Sequence, residues 1–330
     1  MKIVLDAMGG DKAPRETIRG AVMAVNEYGY NVVLVGRSET IKGELDGLKY
    51  PPDKIEIYNA DETIEMGEAA ALSVRKKRDS SIVKGIELLK NEGYEAFVSA
   101  GNTGAVVCAG TLSLRLLPGV DRPGIAVVFP TLSKPCMVID VGANIDPKPL
   151  HLLQYGIMGD AYSKHILGKV NPTIALLNIG EESTKGTDFI KETHTMLRES
   201  KLNFIGNVEP KEVYRGKADV VLCDGFVGNV LLKVTEGFAS AASELLSREF
   251  KKSSFLTKFG AFLTLPTFRD IKKRTDATEY GGAPLLGVDG RIIIAHGASN
   301  AKAIKNAIRA AGEYVDHKIN AHIVEELESY

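Results

Sequence analysis

The chain has 330 residues, 44% of them hydrophobic and 25% charged, with a formal net charge of -1 at neutral pH. That composition fits a globular protein able to bury a sizeable core, and the even charge balance argues against a generally basic, nucleic-acid-binding surface. The three cysteines, Cys108, Cys136 and Cys223, show no C-x-x-C spacing, which fits buried thiols in a reducing, cytosolic setting.

In chain order, Lys2-Ile-Val-Leu-Asp6 predicts a first strand, with no signal-peptide core, and it leads into Met8-Gly9-Gly10-Asp11. Val32–Val35 ends at Gly36, and Phe97–Ser99 leads into Ala100-Gly101-Asn102-Thr103-Gly104. Further apolar runs follow at Ile125–Phe129, Met137–Asp140, Ile174–Leu177, Phe204-Ile205, Val220–Leu222 and Ile292–Ile294. Continuous apolar strands alternating with helix-like sequence predict an α/β fold, a largely parallel, Rossmann-like open sheet covered by helices on both faces. Such sheets bind ligands beyond the carboxyl ends of their strands, where the Gly/Asn clusters fall.

No linker or repeat divides the chain, so residues 1–330 are read as one catalytic unit with a helical amphipathic excursion at about 238–275. Within it, Phe255, Leu256, Phe259, Phe262 and Leu263 are spaced as one helix face, and Pro266 bends or ends the helix. Arg248, Lys251, Lys252, Lys258, Arg269, Lys272, Lys273 and Arg274 surround that face against only Glu249 and Asp270. Ser299 to about Ser329 reads as one long surface helix. No apolar stretch approaches the roughly 18 residues of a membrane span.

The sequence has no dinucleotide fingerprint, no P-loop and no G-x-S-x-G elbow, and its six histidines form no H-x-x-x-H pair. No metal or cofactor is expected. The candidates are strand-end groups. The Gly101–Gly104 segment, with the Thr103 hydroxyl, suits an anion at a helix start, or else is a capped turn. Asp224 and Asn229 in Asp224-Gly-Phe-Val-Gly-Asn229 suit orientation of a reacting group and stabilisation of an oxyanion, or else cap a helix. Lys185, flanked by Gly186, suits a phosphate ligand or a solvated surface position. His296 and Ser299 can donate to phosphate, while Asp6 with Gly9 and Gly10, and Asp140 with Asn144, shape their loops.

One set of segments stands out together: Asp6–Asp11, Ser99–Gly104, Asp121-Arg-Pro123, Asp140–Asn144, Gln154–Gly159, Phe204–Glu209, Asp224–Asn229, Tyr280-Gly-Gly-Ala283 and Ala295-His-Gly297. By these segments the chain resembles the PlsX family of phosphate acyltransferases from bacterial phospholipid synthesis. The resemblance runs in order through essentially the whole chain. It implies a fold related to isocitrate dehydrogenase and phosphotransacetylase, a homodimer, and transfer of a fatty acyl group from acyl carrier protein to orthophosphate. The product then passes to a membrane glycerol-phosphate acyltransferase. The missing side-chain nucleophile fits this chemistry, because phosphate itself attacks the thioester. Lys185, Asp224 and Asn229 are the expected catalytic groups. Asp6, Gly9, Gly10, Gly101, Asn102, Thr103, Gly104, Asn144, His296 and Ser299 are the expected binding groups.

In this light the basic aromatic segment gains a second reading beside core packing. It suits reversible attachment to anionic lipid on the inner face of the cell membrane, or docking of acidic carrier protein. The rival functions are a nicotinamide-dependent dehydrogenase, a coenzyme A-dependent phosphotransacetylase and a non-catalytic lipid-surface protein.

Overall fold

The computed structural model describes residues 1–91, 93–254, 257, 260, 262–264, 266–267 and 281–330. Strands β1 (Lys2–Asp6), β2 (Asn31–Gly36), β3 (Ile55–Asn59), β4 (Ala96–Ser99), β5 (Gly124–Phe129), β6 (Cys136–Ile139), β7 (Ile174–Leu177), β8 (Phe204–Val208), β9 (Val220–Leu222), β10 (Ala283–Leu286) and β11 (Ile292–Ile294) share one sheet. Among the described residues its order is β3-β2-β1-β4-β11-β10-β5-β6-β9-β7-β8. The apolar runs become strands because both faces are covered, so successive residues need apolar partners on alternate sides. Ile3 and Leu5 enter one core and Val4 the other; Met137 and Ile139 oppose Cys136 and Val138 in the same way.

The first core is closed by helices α1 (Arg15–Tyr28), α2 (Ser38–Leu45), α6 (Pro149–His165) and α7 (Asp188–Glu199), with α10 (Ala301–Asp316) and α11 (Ile319–Glu328). The second is closed by α3 (Ala70–Lys76), α4 (Ser81–Leu88), α5 (Thr103–Leu114), α8 (Pro210–Val213) and α9 (Gly225–Lys252). Each fully buried Leu, Ile or Val contributes about 1.5–3 kcal/mol, so both faces contribute to holding the sheet.

Two strands escaped the sequence reading. β3 alternates Ile55 and Ile57 with Glu56 and Tyr58, and among the described residues it is an edge strand paired only with β2. β10 is four residues long and antiparallel to both β11 and β5. β5 and β6 are also antiparallel, so β6, β9, β7 and β8 run opposite to β1, β4 and β11. On either side of β10 and β5 the sheet is parallel, and the two flanking sets of strands point their carboxyl ends in opposite directions.

Two helical expectations change. The C-terminal segment is two helices, broken where Lys318 takes left-handed backbone (φ 49). It is no surface rod: α10 buries Ile304, Ala307, Ile308, Ala311 and Tyr314. The departure from strand rhythm begins earlier than expected, since α9 starts at Gly225 and runs 28 residues to Lys252. Phe255, Leu256 and Phe259 lie outside the described residues, while Phe262 and Leu263 are exposed. No described helix is long and apolar enough to cross a membrane.

Candidate active site

At the carboxyl ends of β1, β4 and β11 three loops interlock. The Asp6 carboxylate is buried; Oδ1 accepts the Met8 N–H at 3.1 Å and Oδ2 accepts the Ser99 hydroxyl at 2.7 Å. Burial pushes the Asp6 carboxyl pKa up, while the Ser99 hydroxyl and the Met8 amide that bond to it pull it down. A methyl group at Gly9 would run into Asp6 Oδ2 and lie 2.7 Å from the Gly101 nitrogen, so only glycine permits this approach. The Gly101 N–H donates to Ser99 Oγ (3.0 Å) and the Asp11 N–H to the Gly297 carbonyl (2.8 Å), which ties the third loop in; Gly10, with φ 107, makes the turn.

Asn102 caps α5: Oδ1 accepts the Ala105 N–H at 3.0 Å, and Nδ2 donates to the carbonyls of Glu65, Met66 and Glu68 at 3.2, 3.1 and 3.0 Å. Its amide is therefore committed to the fold and shapes this end, contrary to the expectation that it would face substrate. Thr103 and Gly104, half-buried and exposed, begin α5, where the first amides have no helical acceptor. His296 is exposed; its Nδ1 accepts the Ala298 N–H at 3.1 Å, while Ser299 is buried behind it.

At the carboxyl ends of β6, β9 and β7 stands the second group. Asp140 is buried and gathers four amides: Oδ1 from Ile125, Gly142 and Ala143 at 3.1, 2.9 and 2.9 Å, and Oδ2 from Asn144 at 2.7 Å. Burial raises its pKa against those donors. Asn144 donates from Nδ2 to the Pro123 carbonyl (2.5 Å) and the Tyr155 hydroxyl (2.7 Å), and its own carbonyl accepts the Gly225 N–H at 2.7 Å. Like Asn102, it organises the site from behind instead of offering its amide to a ligand.

Asp224 caps α9, its Oδ1 accepting the Val227 N–H at 2.9 Å. Asn229 follows on the first turns of the helix, exposed, and its side chain makes no hydrogen bond among the described residues. Its Cγ lies 3.9 Å from where a Cβ on Gly142 would stand. Lys185 rides the loop between β7 and α7, exposed, with no carboxylate within 4.0 Å among the described residues. Two asparagines, unnoticed in the sequence, hold that loop: Asn178 Nδ2 donates to the Lys185 carbonyl (3.2 Å) and Asn207 Nδ2 to the Glu182 carbonyl (3.0 Å). Because β7 lies beside β9, Lys185 and Asn229 are uncommitted donors at adjacent strand ends.

Gly101–Gly104 and Lys185 were expected on the same phosphate; they follow strands that run in opposite directions, because β5 and β6 are antiparallel while the two antiparallel pairings of β10 cancel. Helix α9 joins the two groups. Lys233 Nζ lies 3.5 Å from His296 Nε2 and 2.9 Å from Glu236 Oε2, and His296 Nε2 is 3.7 Å from that carboxylate. Asn229, Lys233 and Glu236 are spaced i, i+4, i+7, so they flank one stripe of α9 running about 12 Å from Gly225 to Lys233. Lys233 and Glu236 also went unnoticed; polar spacing on a helix rich in Gly, Val and Ala was the signal. Two of the three thiols are held protonated by burial, which pushes Cys136 up to about 12 and Cys223 well above its ordinary value; the third, Cys108, is half-buried on α5.

A family model described as fatty acid synthesis protein matches residues 1–322. A phosphate acyltransferase of Dictyoglomus turgidum is 50% identical over 329 residues, covering 99% of this chain and 98% of that protein. One from Alkaliphilus oremlandii is 47% identical, covering 100% and 98%. Among solved structures, a phosphotransacetylase from Streptococcus pyogenes superposes with a TM-score of 0.66 at 18% identity, over 96% of this chain and 94% of that one. A 4-hydroxythreonine-4-phosphate dehydrogenase from Klebsiella pneumoniae gives 0.55 at 15% identity, over 94% and 98%. At such identities the last two show the shared fold alone. By its full-length match, the chain belongs to the fatty acid synthesis protein family, the PlsX family of phosphate acyltransferases.

Proposed function

We propose that this acyltransferase moves a fatty acyl group from the thioester of acyl carrier protein to orthophosphate, yielding acyl phosphate for phospholipid synthesis. The observation that carries this reading is the pairing of two donors uncommitted among the described residues, Lys185 and Asn229, at adjacent strand ends. A phosphate oxygen forms the new bond to the thioester carbon, giving a tetrahedral oxyanion. Collapse breaks the C–S bond, and the departing thiolate takes its proton from water. Phosphate needs little help from a base, since its second ionisation lies near the roughly pKa 6 of phosphomonoesters, and the thiol leaving group has a parent pKa of about 8.5.

The protein's task is positioning and charge. Correct placement contributes up to about 7–11 kcal/mol, and one oxyanion donor about 2.7–4 kcal/mol. Lys185 holds the phosphate dianion and Asn229 donates to the oxyanion. Asp224, by capping α9, orients the turn that carries Asn229. Asp6, Gly9, Gly10, Gly101, Asn102, Thr103 and Gly104 build the other wall of the cleft. His296, Ser299 and Lys233 stand at that end of the α9 stripe, where the acyl donor lies. The whole chain acts as one catalytic unit.

Incubation with palmitoyl–acyl carrier protein and orthophosphate, followed by hydroxylamine, is expected to give phosphate-dependent palmitoyl hydroxamate. The same assay with palmitoyl–coenzyme A tests the phosphotransacetylase reading. Product from coenzyme A alone overturns the carrier-protein donor, and no product from either overturns the transferase reading.

Phe226, Val230, Val234 and Phe238 form an exposed apolar stripe along α9, 63, 47, 62 and 76% exposed, which suits a second copy of the chain. The exposed Phe262 and Leu263, beside the basic cluster that begins at Arg248, suit peripheral attachment to anionic lipid on the cytoplasmic side, where a membrane glycerol-phosphate acyltransferase consumes the product. Sedimentation reads both surfaces. Phe238→Glu is expected to convert a dimer to a monomer, and Phe262→Glu to lower the fraction pelleting with anionic vesicles. Wild-type behaviour of either variant removes that surface.

A further inference from the structure

Behind the Lys185 loop lies a depression of about 390 Å³ lined by Ser183, Thr184, Lys191, His194, Thr195 and Arg198. That volume is within the range of small-ligand sites. Every lining side chain carries a donor and none is a carboxylate, although the Thr195 hydroxyl already donates to the Lys191 carbonyl at 3.0 Å. Lys191, Thr195 and Arg198 fall at i, i+4, i+7 on α7, so they share one stripe, with His194 beside it. Arg198 has no carboxylate within 4.0 Å among the described residues, and the side chains of Ser183 and Thr184 make no hydrogen bond there. Lys191 is held only loosely, 3.5 Å from the fully exposed Asp188. The His194 ring meets Phe204 edge-on, at 5.1 Å and 75°, and among the described residues neither ring nitrogen has a hydrogen-bond partner.

From this we infer a second anion site, one that takes a phosphate group, free or as the monoester of a small molecule. Guanidinium, ammonium and hydroxyl donors converging without an acid match its dianionic oxygens. Burial and the neighbouring Arg198 lower the pKa of His194. A dianion between the two cations would reverse that effect, so binding is expected to raise it. The site also bears on turnover. Ser183 and Thr184 sit between the two carbonyls anchored by Asn207 and Asn178, immediately before Lys185. An occupant bonded to their hydroxyls would bias the loop that presents Lys185, a consequence that rests on the function proposed above; the binding itself does not.

Inorganic phosphate and phenyl phosphate are titrated separately into the full chain while the imidazole carbon–proton NMR signals are followed. The His194 signal is identified by its loss in His194→Gln. The expected result is a saturable His194 shift, with a rise in its pKa, that persists in Lys185→Ala and weakens at least about tenfold in Kd in Arg198→Ala. Saturation by phosphate alone, or by both probes, tells free anion from ester. No saturable shift with either probe, loss of the shift in Lys185→Ala, or its full retention in Arg198→Ala overturns the inference. The hydroxamate assay on the same preparations keeps failure of this site distinct from failure of the proposed reaction.

Discussion

Lys185→Ala is expected to lower kcat/KM for phosphate by roughly 10²-fold or more, the scale on which a single preorganised donor to developing charge acts. The loss should fall on phosphate. Lys185 is exposed and makes no ion pair among the described residues, so the substitution removes a charge without removing a contact that holds the fold. The melting temperature should stay within about 1–2 °C of the parent, as for surface substitutions generally. KM for the acyl donor should be nearly unchanged, since the donor thioester is read by other groups. Lys185→Arg keeps the charge but changes its reach and is expected to recover part of the activity. Initial rates across a phosphate series at saturating acyl donor provide the measurement. Parental phosphate dependence in Lys185→Ala would falsify its placement on the nucleophile. A selective rise in the acyl-donor KM would instead move Lys185 to the carrier-protein side of the cleft.

Much of the sheet was legible because its strands are buried on both faces and must be continuously apolar, as Ile3–Leu5, Val32–Val35 and Val220–Leu222 are. What hid was whatever lacked that double burial. β3 interleaves Glu56 with Ile55 and Ile57, and β10 is too short to stand out from its glycines. Missing β10 mattered because it links β11 to β5, and through the antiparallel β5–β6 pair that link sets which strand ends face each other. The residue types of the site were visible in the sequence, but their commitments were not. Asn102 and Asn144 look like Asn229 as letters. Only the folded chain brings the carbonyls of Glu65, Met66 and Glu68 to one, and Pro123 with Tyr155 to the other, leaving Asn229 without a side-chain partner among the described residues. Likewise His296 read as a lone histidine until α9 set Lys233 and Glu236, some sixty positions earlier, beside it.

Gly228→Ala is expected to cost about 3 kcal/mol or more of stability, the largest effect anticipated for a single methyl group in this chain. Gly228 lies on the buried face of α9, one turn after the Asp224 cap. A Cβ there would collide with the Asp140 carbonyl oxygen and approach Cys223 Sγ to 2.9 Å. Neither neighbour can yield cheaply. The Asp140 backbone is fixed by the Asp140 N–H to Cys223 carbonyl bond at 3.1 Å and by the four amides its side chain gathers, and Cys223 is buried at the end of β9. The helix must therefore lift. Lifting it breaks the 2.7 Å bond from the Gly225 N–H to the Asn144 carbonyl and moves Asn229 away from the Gly142 loop. Stability and catalysis should fail together, unlike Lys185→Ala. For a chain of this size the melting temperature should fall by about 4 °C or more. Gly43→Ala supplies the control: it too is helical and its added Cβ meets nothing within 4 Å. There the gain in helix propensity should stabilise the chain by up to about 1 kcal/mol. Scanning calorimetry on the two variants checks the pair. Equal melting temperatures would mean that α9 does not sit on the Asp140 carbonyl as described, and the orientation of Asn229 argued from that contact would fall with it.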